Sequence, residues 1–354
     1  MVWQTIGQPK ILDLLQRALD QGTLSHAYLL VGPPRVGKMT LALDLAMALN
    51  CLSENARRPC GKCASCQRIA EGKHSDVQAV GLNRSLNPDD SRERTEIGIE
   101  EIKDLLHSVN LPPFEGRCRV YIIDEASNLS LDAANRLLKT LEEPIGRVIF
   151  ILLTANVRLI PATVISRCQR LNLTRMKISE IEADLIGRWQ VEPQKARLLS
   201  RLSHGCPGWA IEAIKIPNLL QERAEKFEKM QEMIRDDLNE RFGIASHLAI
   251  QFGRKRETVY EILDAWSGWW RDILLVKTGC RGDIVSIDYL SALVEMAGAY
   301  SLAQIKSTLR SIAEAGEQLN LNANSRLVLD NLMLNIPRPL VNQLHGQQAE
   351  VKNA

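Results

Sequence analysis

Apolar and polar positions divide the chain into two regimes: short apolar runs alternating with periodic helices up to about residue 173, then helices alone. Tyr28-Leu29-Leu30-Val31 reads as a buried parallel strand, and a long apolar helix begins just after the Gly32–Lys38 loop that follows it. Before it, Ile11, Leu12, Leu15, Ala18 and Leu19 mark one helix face, with Gly22 as its stop. Val77 to Val80 reads as a second strand, and Asn83 to Glu96 as a polar loop. Ile99, Ile102, Leu105, Leu106 and Val109 give an amphipathic helix that Pro112-Pro113 halts. An apolar strand ends at Asp124-Glu125, and a helix capped by Ser130 buries Leu137, Leu138 and Leu141 before Pro144. Val148 to Leu153 is a further wholly apolar strand, closing on Thr154-Ala155-Asn156.

From Ile178 the pattern is helical, opened by a capping box at Ser179 and Glu182. A small helical unit runs to about Ile214, with Gly205-Cys206-Pro207-Gly208 as the turn into its last helix. Pro217 marks a boundary, and the region from 218 to 340 carries helices only. Trp266, Trp269 and Trp270 fall on one helix face, which favours core packing over a base-stacking platform. The domain expectation is therefore an α/β domain over 1–173, a helical lid over 174–216, an all-α domain over 217–342 and a frayed tail over 343–354.

Composition is that of a soluble globular chain, 45% apolar and 24% charged, over 354 residues. A net charge of +2 gives no global basic field for nucleic acid. No apolar run approaches a membrane span and the N-terminus lacks a signal pattern. Of eight cysteines, four crowd into residues 51–66, which is metal spacing and fits a reducing, cytoplasmic setting.

Strand, glycine loop, Lys38 and helix together form a phosphate-binding loop. Gly32 and Gly37 let the backbone turn its N–H groups inward, and Lys38 adds a charge at the positive end of the following helix. The next residue departs from the pattern: Met39 stands where a Ser or Thr hydroxyl would ligate Mg²⁺, and Thr40 comes one residue late. The expectation is a phosphate site that can take ATP or ADP but holds Mg²⁺ weakly or not at all.

Cys51, Cys60, Cys63 and Cys66 supply four thiolates, which suits a closed tetrahedral Zn²⁺ site, with Arg57, Arg58, Lys62 and Arg68 offsetting its charge. An iron–sulfur cluster is the alternative, although the Cys-Pro of common ferredoxin runs is absent. Asp124 and Glu125 lie at the carboxyl end of a strand, where such carboxylates support a metal and activate water. Asn156 reads equally as a γ-phosphate contact or a strand-end cap. Arg167, within Ser166-Arg167-Cys168, carries little alone.

Taken together and in this order, HAYLLVGPPRVGK, LNC with PCGKCASC, VYIIDEA, AANRLLKTLEEP and VISRC resemble the AAA+ subunits of the bacterial DNA polymerase III clamp loader. WWRDILLVKTG at 269–279 extends the resemblance into that family's helical collar. The family's ATP-hydrolysing gamma/tau branch has Ser or Thr after Gly-Lys and a sensor Arg in the lid; this chain has Met39 and Gly208. The resemblance therefore implies the delta-prime branch. It implies an α/β AAA+ P-loop domain with an inserted zinc module, a helical lid and a collar that assembles a hetero-pentamer with gamma/tau and delta subunits. It further implies a part in loading the sliding clamp onto primer-template DNA, within a nucleotidyltransferase complex. On the same ground Arg167 is expected to act in trans as an arginine finger, and the chain's own site to be silent. An active gamma/tau-like ATPase using Lys38, Asp124 and Glu125 is the competing expectation.

Overall fold

In the computed structural model the described residues are 3–53, 58–82, 96–109, 111–143, 146–216, 218–321 and 323–338. Arg57, nearly all of the expected loop at 83–96, Pro144, Pro217 and the 343–354 tail lie outside them. The chain forms two compact units, 1–184 with 203–210, and 185–202 with 211–354.

The first unit is built on a five-stranded parallel sheet in the order β2-β3-β4-β1-β5, with β1 Ala27–Val31, β2 Val77–Val80, β3 Arg119–Ile123, β4 Val148–Thr154 and β5 Gln169–Asn172. Side chains alternate between its faces. Tyr28, Leu30, Val120, Ile122, Ile151 and Leu153 enter one apolar cluster, shared with helix α1 (Pro9–Gln21) and helix α2 (Lys38–Asn50). Ala27, Leu29, Tyr121, Ile123, Phe150 and Leu152 enter the other, with residues of the later helices α4 (Ile99–His107) and α5 (Leu131–Glu142). The short α3 (Ala64–Ala70) follows α2 in the chain and adds Cys66 and Ile69 to the α1 and α2 cluster. Because both faces are covered, β3 and β4 are buried along their whole length, as their predominantly apolar sequences require. Gly22 ends α1 in the left-handed conformation, and Ser130 Oγ accepts from the Ala133 amide to start α5, both as the sequence indicates.

Two buried polar side chains fix a segment that the sequence leaves unexplained. Asp76 accepts the amides of Phe114, Glu115 and Gly116 at 2.7, 2.9 and 2.7 Å. Asn50, at the end of α2, accepts those of Arg117 and Cys118 at 2.8 and 3.0 Å. Burial alone would raise the Asp76 carboxyl, but those amides and Arg119 outweigh it and hold it below the usual carboxylate range.

β5 is missing from the sequence expectation. Its residues Gln169, Arg170, Leu171 and Asn172 bury only Leu171, so no alternation announces a strand; the free edge of β1 recruits it. After the four-residue α6 (Ala162–Ile165), helices α7 (Ile178–Trp189), α8 (Pro193–Leu202) and α9 (Pro207–Lys215) follow. The expected capping box is corrected here. The Lys177 carbonyl already accepts from Glu180 and Ile181, so Ser179 lies inside the first turn of α7 and is not its cap.

The remaining helices of the second unit are α10 (Asn218–Arg235), α11 (Leu238–Arg254), α12 (Arg256–Lys277), α13 (Leu290–Ala299), α14 (Leu302–Asn320) and α15 (Ser325–Asn335). Trp266, Trp269 and Trp270 are buried in their shared core. At its centre Arg241 is 1% exposed and donates to four main-chain carbonyls: Met233 at 3.0 Å, Ile234 at 2.6 Å, Ile336 at 2.7 Å and Met333 at 3.4 Å. The guanidinium thus closes the C-terminal ends of α10 and α15, where carbonyls lack helical partners and the dipole favours a cation. No described helix is long and apolar enough to cross a membrane.

Candidate nucleotide site and cysteine cluster

The loop from Gly32 to Gly37 leaves the carboxyl end of β1 and enters α2. Gly37 has φ 104°, a conformation that side chains rarely adopt, and this lets the chain turn into the helix. Gly32 is required for a different reason than curling: a Cβ there would lie 2.8 Å from the Leu173 carbonyl oxygen. Lys38 does not reach outward. Its Nζ donates to the carbonyls of Gly32 and Pro33 at 2.7 and 2.8 Å. Burial lowers the Lys38 pKa, against the opposing pull of Asp124, Cys206 and Glu125.

A cavity of about 390 Å³ joins Gly37, Lys38, Met39, Thr40, Asp124 and Glu125, so six of the expected nucleotide-site residues come together. Met39 also packs on the α2-side apolar cluster and puts a thioether where the motif has an oxygen. Asp124 Oδ1 accepts the Glu125 amide at 2.9 Å, and Glu125 takes a left-handed backbone, φ 50°. Asn156 is not brought in. Its side chain accepts from the Arg158 amide at 3.1 Å as the cap of a short 3-10 turn, and Leu153, Thr154 and Ala155 line the cavity instead. Ser127, Asn128 and Gly208 line it too. Ser127 and Asn128 have no motif to announce them, since they arrive on the 3-10 turn after Glu125.

Gly208, in the first turn of α9, touches the phosphate loop directly. Its amide donates to the Arg35 carbonyl at 2.9 Å, and a Cβ there would sit 2.5 Å from the same oxygen.

Arg167 lies at the other edge of the sheet. It precedes Gln169, which pairs with Tyr28 near the start of β1, and it shares a cavity with His26, the residue before that strand. The phosphate loop leaves the far end of β1, roughly 20 Å away at the rise of an extended chain. Arg167 is bonded to Glu142 Oε1 and donates to the Thr163 carbonyl at 2.7 Å and Ser166 Oγ at 3.1 Å. It borders an open cavity with His26, Leu141, Glu142 and Ser166.

Cys51 follows α2 directly, while Cys60, Cys63 and Cys66 come from the loop and first turn of α3. Their four Sγ atoms lie within 4.8 Å of one another, and they are the one such group among the described residues. The Cys63 amide donates to Cys60 Sγ at 3.3 Å and the Cys66 amide to Cys63 Sγ at 3.5 Å. The Lys62 amide, chief among its neighbours, brings the Cys60 thiol down to about 6, whereas burial raises Cys51 and Cys66. Arg68, expected to offset the cluster's charge, instead pairs with Glu115. Cys118, Cys168, Cys206 and Cys280 lie outside the cluster. The four thiols form a set able to hold a metal ion.

The family described as "DNA polymerase III, delta subunit" matches residues 7–177. The DNA polymerase III subunit delta' of Bacillus subtilis is 28% identical over 327 residues, covering 92% of this chain and 95% of the relative. The tau subunit of the same organism is 42% identical over 171 residues, 48% of this chain but 28% of the relative. A solved gamma-subunit-related protein of Thermotoga maritima aligns over 92% of this chain and 98% of its own, with 16% identity and a TM-score of 0.39. Over nearly its whole length the chain is thus similar to a DNA polymerase III delta' subunit, and over its first half to tau subunits of the same polymerase.

Proposed function

We propose that this chain is the non-hydrolysing subunit of a clamp loader, lending Arg167 to a nucleotide held by a neighbour. The observation that carries the reading is the placement of Arg167 at the sheet edge opposite its own phosphate loop. From there it serves another subunit's nucleotide and not its own. A guanidinium aimed at a γ-phosphate stabilises the charge that develops in phosphoryl transfer. Its partners are gamma/tau and delta subunits in a hetero-pentamer, the sliding clamp, and primer-template DNA reached through the complex.

The chain's own site is read as silent. Met39 offers magnesium no oxygen, Gly208 carries no side chain toward a phosphate, and Lys38 is engaged by loop carbonyls. ATP or ADP could still occupy the loop with little Mg²⁺. For the cysteines the proposal is one structural Zn²⁺. A tetrahedron with Zn–S of 2.3 Å separates its sulfurs by roughly 3.8 Å, and Cys60 and Cys66 Sγ stand 3.9 Å apart. Zinc would cross-link α3 to the end of α2. The division into a domain over 1–173, a lid over 174–216 and a collar over 217–342 belongs to the same reading.

The test is ATP hydrolysis by the reconstituted complex with clamp and primed DNA. An arginine finger is worth about 10³- to 10⁵-fold at its own site; with one of several sites affected, Arg167→Ala lowers the total and slows clamp loading while assembly persists. Arg167→Lys rescues poorly, because a point charge lacks the guanidinium fork. Lys38→Ala leaves the rate near that of the unmodified complex. A crippling Lys38→Ala beside a harmless Arg167→Ala would overturn the proposal. The second reading, an active gamma/tau-like ATPase, is favoured by Lys38, Asp124 and Glu125 lining one cavity. It requires the lone chain to turn over ATP and Glu125→Gln to abolish that turnover.

A further inference from the structure

We infer that Glu142 is a positioning residue that parks Arg167 until a neighbour's nucleotide arrives, so that the finger is exchanged between an internal carboxylate and an external phosphate. This rests on the trans reading of Arg167.

Three features of the Arg167 pocket support it. Glu142 is the last residue of α5, a place where the helix dipole disfavours a carboxylate. Its side chain is half exposed and gains nothing from burial, so its pairing with Arg167 is what its position serves. Both terminal nitrogens of the guanidinium are directed: Nη2 goes to Glu142, and Nη1 to the Thr163 carbonyl and Ser166 Oγ, on and beside the short α6. The frame is also held from behind. His26 Nε2 donates to the Leu141 carbonyl at 2.9 Å, tying the end of α5 to the residue before β1. Glu142 is thereby presented from a fixed helix end into the open pocket it shares with Arg167 and His26.

Two consequences follow from the charges. A carboxylate beside the guanidinium competes with a phosphate for the same donors and repels the phosphate's charge. An ion pair this exposed is also weak, which makes the exchange shallow and reversible. Glu142 thus lowers the affinity of the neighbour's site for ATP without taking part in the chemistry.

The experiment uses the full reconstituted complex with ATP, clamp and primed DNA, and reads KM and kcat separately. Glu142→Gln keeps the shape and removes the charge. It is expected to lower the KM for ATP at the affected site by about two- to fivefold, the scale of an exposed ion pair, with kcat unchanged. Glu142→Asp should restore the higher KM. In an Arg167→Ala background Glu142→Gln should have no effect, an outcome that a purely structural role for Glu142 would not give. An unchanged or raised KM in Glu142→Gln, or the same KM change in the Arg167→Ala background, overturns the inference while leaving Arg167 in its role. An Arg167→Ala complex with unaltered kinetics overturns the underlying reading instead.

Discussion

The Gly208 amide donates to the Arg35 carbonyl at 2.9 Å, so the first turn of α9 rests on the phosphate loop with no room for a side chain between them. The position at which the resemblance leads one to expect a sensor arginine in a motor subunit is here a point of backbone contact.

Gly208→Ala should therefore cost about 1–3 kcal/mol, the usual penalty for forcing atoms into a packed contact. The obstacle is main chain and cannot rotate away. Gly208→Arg should be no better folded and should not confer ATP turnover on the lone chain. Thermal unfolding and a hydrolysis assay of both variants decide it; an alanine variant as stable as the parent would show that the loop yields.

Asp76 makes a pH prediction. Its folded carboxyl titrates below its unfolded value, so its contribution is complete above about pH 4. It is lost as pH falls through the folded value. Amide exchange at Phe114, Glu115 and Gly116 should be faster in Asp76→Asn than in the parent at neutral pH. The two should converge on acidification. A gap that stays constant down to strongly acidic pH would contradict this account.

These features also show how far the sequence reaches. The strands β1, β3 and β4, the phosphate loop, the Asp124-Glu125 strand end and the cysteine cluster are local patterns, and each was legible. β5 was not, because Gln169-Arg170-Leu171-Asn172 becomes a strand only through the edge it joins. Asn50 and Asp76 were missed because their partners lie about 40 to 70 residues away, in a loop without a motif. Asn156 reads in sequence as a γ-phosphate contact or a strand-end cap, and in the structure its side chain is engaged as a cap. Ser179 resembles a cap in sequence, yet the helix starts at Ile178, two residues before such a cap would allow.

For the cysteine cluster, one Zn²⁺ per purified chain is expected by metal analysis, and none after Cys63→Ser with Cys66→Ser. Removing the metal with a chelator should loosen α3 while the sheet persists, since Asn50 and Asp76 hold their segment without using a sulfur. Zinc retained by the double variant would rule out this ligand set.

Arg241→Met would leave the carbonyls of Met233, Ile234 and Ile336 buried without their donor. At about 1–3 kcal/mol for each orphaned group, the loss should be several kcal/mol, seen as early unfolding of the second unit. Arg241→Lys should recover only part of it, having one nitrogen to place where the guanidinium places three. Equal stability of the methionine variant and the parent would mean that the carbonyls find other donors.

All four acceptors of Arg241 are main-chain oxygens, which gives this centre an uneven genetic exposure. Whatever side chains come to occupy 233, 234, 333 and 336, their carbonyls remain, so no ordinary substitution there deletes an acceptor outright. The donor is encoded by a single codon. The side chains at these four positions are buried in the shared core, so they answer to packing and not to the hydrogen-bond hub, whose acceptors any residue supplies. Loss at the hub should then be traced mainly to position 241 or to changes that bend the helices themselves.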